Sequence, residues 1–572
     1  MIEKKVFETF KLPIQYLQNK NELDKNLIKD LELIQTTDNS ENSIYSYLFK
    51  PKTTLGKECL NEWGKYFTPD SNFLKETQKI FKKFKPDIQK EVIENAYKDW
   101  CEIKKTSDFC EKYQYIEWER IKGINRYSTF LTFLSYYNLS APLFNLALPI
   151  IILIIPFFVL KMTKIPITWK AYYSIVTMQI KNHIIGKIYY NFRNIDWNQR
   201  IYYLFSFGIY IYNIYQNILS CYRFYKNTYQ ISNYFLTLQR YIQHTVKNMQ
   251  HFNSIINKFK TYQIFSKEIS INQSRLQQFY DQIISIQGKI LSMKKIAQIG
   301  FVMKQFFILY DDPQLEKAFL FSFGFNGYID TLSGLKENIA QKFVSKAKYI
   351  NSLSPIVKLK KSYYPTLINH TPVKNNIDLS KNMILTGPNA AGKTTLIKST
   401  LLNILFSQQV GFGFFKRAQI TPFDYIHAYI NIPDTIARDS LFQAEARRCK
   451  QILDTIELNP QKKHFCIFDE LYSGTNPYEA IGSAYSYLDY MNGFKNVKYM
   501  LTTHFIKLCT LFQNDKKITN FNMQTKMIDE KAIYSYKLVK GYSTIRGGIC
   551  VLRQLQYPYQ ILRSTKKIMR TL

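Results

Sequence analysis

The chain has 572 residues, 46% apolar and 16% aromatic, which is enough to bury more than one core and fill about three domains, and this excludes an intrinsically disordered chain. Its 77 Lys and Arg against 43 Asp and Glu leave a formal charge of +34. That balance favours an anionic partner, nucleic acid or an anionic membrane face, while a composition rich in Lys, Asn, Ile and Tyr accounts for part of it. Eight cysteines show no C-x-x-C pair or metal-ligand spacing, and Met1 to Lys5 lead into no apolar stretch of signal-peptide length. The expectation is an intracellular chain with reduced thiols that is not secreted.

In chain order, the first notable segment is Ala141 to Leu160, twenty residues without a charge. It has the length and polarity of a membrane-spanning helix, where Pro149 and Pro156 are better tolerated than in a soluble helix. A second uncharged run, Ile201 to Tyr222, is long enough to return across a bilayer. Asn213, Gln216 and Asn217 interrupt it, and its tyrosines also suit an interface or a soluble core. The two runs therefore read either as a membrane hairpin or as a buried helix pair. Between Lys161 and Lys260 stand 13 Lys or Arg and one acid, Asp196, a local excess of +12. Cations lie on both sides of the second run, so the positive-inside rule orients no spanning hairpin. An in-plane or re-entrant hairpin on an anionic surface avoids that conflict, as does a soluble arm gripping DNA phosphates. From 223 to 350 apolar residues recur at helical spacing (Leu236, Leu238, Tyr241 and Ile242; Ile283, Ile284, Ile286 and Ile290), with no Pro from Phe224 through Asp312. Long helices suited to a lever follow.

The most specific pattern comes next. Met383-Ile384-Leu385-Thr386 reads as a buried strand; Gly387, Pro388, Asn389, Ala390, Ala391, Gly392, Lys393 and Thr394 fit G-x-x-x-x-G-K-[ST]; Thr395-Leu396-Ile397-Lys398 opens an amphipathic helix. Backbone N–H groups of such a loop turn toward phosphates, Lys393 neutralises the outer ones and Thr394 offers a hydroxyl to Mg2+, so the loop, with Thr395 behind it, points to ATP. Gly411-Phe412-Gly413 reads as a turn after that helix. Ser440 precedes an apolar-periodic helix through Leu441, Phe442 and Ile452 as an N-cap. Phe465-Cys466-Ile467-Phe468-Asp469-Glu470 is an apolar strand ending in two acids, with Asp469 the metal residue and Glu470 the general base. Tyr499-Met500-Leu501-Thr502-Thr503-His504 is another strand, whose terminal histidine could contact a terminal phosphate.

These segments together resemble the ATPase domain of the MutS family of DNA mismatch repair proteins: Thr386-Gly387-Pro388-Asn389 into Gly392-Lys393-Thr394-Thr395, then Asp469-Glu470-Leu471-Tyr472-Ser473-Gly474-Thr475, then Thr502-Thr503-His504-Phe505. Val373 to Ile377, Ser440-Leu441-Phe442-Gln443-Ala444-Glu445, and Tyr536-Lys537-Leu538 with Gly547-Gly548-Ile549 and Tyr557-Pro558 echo its other signatures across about 200 residues. No L-S-G-G-Q-like segment precedes the acidic strand, which separates the chain from ABC transporters. The resemblance implies a homodimer or MutS-like heterodimer that sandwiches each nucleotide, with Ser440 reaching the opposite subunit's phosphates as a catalytic residue beside Glu470 and His504. Ser473 stands where the family usually carries arginine. Thr53-Thr54-Leu55-Gly56-Lys57, with Leu60, Trp63 and Gly64, is similar to the start of the family's helical core, which leaves no room for mismatch-reading and connector domains before it.

The fold expected is α plus α/β. An N-terminal extension, 1–45, precedes a helical core and lever domain, 46–350, carrying the apolar insert 141–160 and the run 201–222; a P-loop α/β ATPase domain of ABC/MutS type occupies 351–572. Two functions stay open. One is an ATP- and Mg2+-dependent ATPase that clamps DNA with low sequence specificity, related to mismatch repair; the other is a membrane-associated mechanical ATPase without mismatch recognition.

Overall fold

The computed structural model describes residues 2–36, 42–162, 168–182, 184–191, 196–286, 298–430, 440–528, 531–545, 549, 552–553 and 555–571. Its contacts divide the chain into two units, Glu91–Val246 with Ser274–Phe319, and Met1–Lys90 with Lys247–Gln273 and Leu320–Leu572.

The first unit is helical. Its long elements include α1 (Ser128–Met162), α2 (Trp169–Asn182), α3 (Ile184–Asn191) and, as far as Val246, α4 (Trp197–Ile256), a single 60-residue helix. Its core is aromatic: Phe109 stacks on Tyr310 with ring centroids 3.7 Å apart, and Trp100 stacks on Phe319 at 4.5 Å. From Phe224 onward α4 buries residues at helical spacing, Phe224, Ile231, Phe235, Leu238 and Ile242 among them. Before Phe224 it buries none.

The two uncharged runs lie in α1 and α4. Among the described residues no helix is long and apolar enough to cross a membrane, so the expected spanning hairpin gains no support. For 201–222 the physical reason is its polar interruptions and its tyrosines, which hold the run short of a bilayer-core composition. In 141–160 the side chains of 144–146, 148–150, 152–153, 156–157 and 159–160 lie outside the described ones. The buried-pair alternative is also corrected for 201–222, since no side chain of that run is buried.

The second unit holds a six-stranded sheet of β1 (Asn382–Thr386), β2 (Tyr425–Tyr429), β3 (His464–Asp469), β4 (Val497–Thr502), β5 (Ile518–Ile528) and β6 (Lys531–Lys540). The order is β6-β5-β1-β4-β3-β2, all neighbours parallel except the β5–β6 hairpin. β1 and β4 are buried at every position, as central strands of a sheet covered on both faces are. The chain leaves β1, lays down β2, β3 and β4 on one side, then β5 on the other. The carboxyl ends of β1, β3 and β4 therefore converge where the winding reverses, a position that suits a ligand.

Helix α5 (Lys393–Gln409) follows the glycine loop and is not the amphipathic helix expected: all but Thr394, Thr395 and Lys398 of its seventeen residues are buried. Its polar side chains are satisfied inside. Asn403 accepts from Phe414 N at 2.6 Å and donates to Ser399 O, and Gln408 donates to Phe423 O at 2.7 Å. Gln409 donates to Trp63 O at 2.7 Å and shares a hydrogen bond with the Tyr45 hydroxyl, while Thr68 N donates to Gln408 O at 3.1 Å. Gly411 then turns the chain at φ 85°, where its missing side chain admits Gln78 and Leu74. A five-stranded sheet, ordered 375–378, 357–362, 417–420, 345–349 and 412–413, completes this unit.

Candidate functional site

The loop between β1 and α5 has the backbone its glycines predict. Gly387 and Gly392 take φ of 152° and 88°, and Ala390 takes 64°. Gly392 is the residue that caps α5, and a side chain there would meet the Tyr536 ring at 3.2 Å. Lys393, almost fully buried, points its amine to Gly387 O (2.9 Å), Pro388 O (3.3 Å) and His504 Nε2 (3.3 Å). Burial pushes that amine below the ordinary lysine range, against the opposing pull of the Glu470 and Asp469 carboxylates.

Asp469 stands at the end of β3, in register with Thr502 of β4. One carboxylate oxygen accepts from the Thr394 hydroxyl at 2.9 Å and the other from the Thr502 hydroxyl, so the carboxylate is fixed from both sides. A hydroxyl and a carboxylate so placed form a donor set that a hard divalent cation takes. Glu470 follows with φ 57°, a left-handed conformation that costs a non-glycine residue roughly 1–3 kcal/mol and is held by its N–H on Thr502 O at 3.1 Å. Its carboxylate meets His504 Nε2 at 2.6 Å. The hydrogen bond from His504, with the charges of His504 and Lys393 behind it, holds Glu470 below the usual carboxylate range in spite of burial. Lys393, Thr394, Asp469, Glu470 and His504 thus form two short chains of contacts meeting at one loop.

Beside this lies a cavity of about 710 Å³, lined by Lys393, Thr394, Glu470, His370, Pro372 and Tyr536 among others. The space is of small-molecule-site size. Tyr536 is positioned through Asn375, which donates to Tyr536 O at 2.9 Å and accepts from Leu538 N at 3.0 Å.

Ser440 is the N-cap of α6 (Leu441–Leu458): its hydroxyl accepts from Gln443 N at 3.3 Å, and its N–H donates to Gln443 Oε1 at 3.0 Å, a reciprocal capping box. Both of these bonds stay within α6 and its cap, and neither joins Ser440 to the glycine loop. One turn on, the buried Glu445 takes Ser473 N (3.1 Å), Ser473 Oγ (2.8 Å) and Gly474 N (3.2 Å), tying α6 to the segment that follows Glu470. Residues 431–439, including Asp439, and Gly547-Gly548 lie outside the described residues.

Residues 383–572 match the model of MutS domain V. The chain is similar to DNA mismatch repair protein MutS of Persephonella marina, 24% identical over 335 residues, 58% of this chain and 37% of that protein. It is also similar to the MutS of Parabacteroides distasonis, 29% identical over 259 residues (43% and 29%), and of Desulfatibacillum aliphaticivorans, 27% over 201 residues (35% and 22%). These matches support a divergent member of the MutS family, with the family model confined to residues 383–572.

The alignments span only 22% to 37% of the lengths of these MutS proteins. The MutS domain V match begins in β1 and takes in the glycine loop, Ser440, Asp469, Glu470 and His504. Within this MutS-like domain two residues escaped the sequence reading. Thr502 lies inside the segment Tyr499 to His504, and strand pairing alone shows that it faces Asp469. Glu445 was the last residue of the segment echoing the MutS S-T-F-x-x-E pattern, and its partners are 28 and 29 positions away.

Proposed function

We propose that this chain is a MutS-like, Mg2+-dependent ATPase that uses ATP-driven dimer closure to clamp DNA, in a role related to mismatch repair. The observation that carries the reading is the double linkage Thr394–Asp469–Thr502 and Lys393–His504–Glu470 around one glycine loop. The loop amides of 387–393 and the Lys393 amine would hold the nucleotide's phosphates, and Thr394 and Asp469 would hold Mg2+. Mg2+, when bound, neutralises charge on the phosphates. Glu470, kept ionised by His504, orients and deprotonates the attacking water; His504 sits between that base and Lys393 and responds to both. Tyr536 offers a ring beside the remainder of the nucleotide. Ser440, presented at the start of a capped helix, completes the opposite protomer's site in a homodimer or heterodimer. Residues 46–350 serve as core and lever, 351–572 as the motor, and the net charge of +34 favours duplex DNA of low sequence specificity in an intracellular setting.

The test pairs two variants. Lys393→Ala should abolish nucleotide binding, whereas Glu470→Gln should bind ATP and fail to turn it over. Equal loss of binding in both would contradict the roles, and duplex DNA binding that is absent at low salt would remove the clamp.

A further inference from the structure

We propose that the helical arm of α2 and the first half of α4 docks on an anionic lipid bilayer, lying in the surface rather than crossing it. The inference goes beyond the ATPase reading and uses none of its residues. It starts from an anomaly of α4. From Trp197 to Arg223 the helix buries no side chain, yet 201–222 contains no charged residue. Tyr202, Phe205, Ile209, Tyr212 and Tyr215 are all exposed, Phe205 by 67%. At about 1.5 Å per residue this uncharged stretch is about 33 Å long, and a contiguous exposed apolar surface of that extent marks a contact with another phase or molecule. Trp169 and Tyr173 of α2 and Trp197 at the start of α4 are exposed in the same way.

The chemistry of the surface selects its occupant. Rings with one polar atom, Tyr and Trp, favour the depth where lipid headgroups meet acyl chains. Asn213, Gln216 and Asn217 interrupt the run, which suits a helix lying in the surface and not one in the hydrocarbon core. Exposed cations, Lys170, Lys181, Arg223 and Lys226, bracket the apolar stretch without entering it, and Asp196 is the one acid between Lys161 and Lys260. That arrangement complements an anionic headgroup layer beside an apolar one. Single-stranded nucleic acid would need cations alongside the stacked bases, within 201–222, where there are none. A second copy of the same face would bring like charges together.

Full-length protein is floated with vesicles of phosphatidylcholine alone and of phosphatidylcholine with phosphatidylglycerol. Flotation with the anionic vesicles only, weakening as salt rises and reversed by alkaline carbonate, is expected. Phe205→Ser with Tyr212→Ser should lower partitioning at least tenfold, and Lys170→Gln, Lys181→Gln and Lys226→Gln together by about a hundredfold at low salt. Lys393→Ala should float like the parent, which separates this outcome from failure of the ATPase reading. Trp fluorescence of the unmutated protein should shift to the blue on anionic vesicles, a readout independent of any variant's folding. Failure to float, equal flotation with neutral vesicles, retention after carbonate, self-association through this face without flotation, or displacement by single-stranded oligonucleotide would each overturn the proposal.

Discussion

Glu445→Ala tests the link between the capped helix α6 and the segment that carries Glu470. The wild-type carboxylate is buried and accepts from two backbone N–H groups and one hydroxyl. Two effects compete in the magnitude. Orphaned donors in a dry site would each cost the full desolvation term, but Ser473 and Gly474 are exposed, and water can replace the lost acceptor for them. The loss is therefore nearer the net value of about 1 kcal/mol per hydrogen bond, about 2–4 kcal/mol in all. For a domain of roughly 200 residues that lowers the melting temperature by roughly 5–10 °C. Glu445→Gln keeps one oxygen acceptor and turns an N–H2 group toward a donor, so it should lie between wild type and the alanine variant. Scanning calorimetry gives the shift, and nucleotide titration followed by turnover measurement separates the two functional consequences. Binding through Lys393 should persist while turnover falls, because the left-handed Glu470 loses the anchor of the segment after it. A melting temperature within about a degree of wild type, or unchanged turnover, would refute the reasoning.

Three further outcomes are expected. Thr502→Val removes the hydroxyl that fixes one Asp469 oxygen and should raise the Mg2+ concentration for half-maximal turnover by roughly 10-fold, read by titration; an unchanged Mg2+ dependence would count against the clamp on Asp469. His504→Ala releases a Glu470 carboxyl held below its ordinary value of 4.5, so the acid limb of the pH–rate profile should move to higher pH. Because the folded-state value is the lower one, the stabilisation from this pair is present above the ordinary carboxylate range and lost as pH falls through the depressed value, and acid unfolding of the variant should lack that component. Ser440→Asp preserves an N-cap but places a negative charge where phosphate is expected: retained turnover would leave Ser440 a cap alone, whereas lost turnover with an unchanged melting temperature supports its reach into a partner's site.

The parts legible in the sequence are those whose physics is local. β1, β3 and β4 announce themselves as short apolar runs, the glycine loop by its spacing, and the N-cap of α6 by Ser440 with Gln443 three residues on. Asp469 and Glu470 could be named as a pair because adjacency in the chain put them together. The rest depends on contacts that no local window contains. Thr502 meets Asp469 only through strand register, Glu445 reaches Ser473 across a full helix, and α5 reads as amphipathic until partners for Asn403, Gln408 and Gln409 are supplied from elsewhere. The uncharged runs mislead for the opposite reason: hydropathy reports what a helix lacks and not what surrounds it.

The far end of α5 has a practical bearing on how this protein can be cut. Gln408 and Gln409 spend their amides on Trp63, Thr68 and Tyr45, hundreds of positions upstream, so an expression fragment beginning near residue 343 would strand several buried donors and strip an aromatic wall from Phe406. Trimming the motor to its matched segment should yield insoluble material, while a fragment that keeps residues 1–90, 247–273 and 320–572 together through short linkers retains these partners and should be soluble.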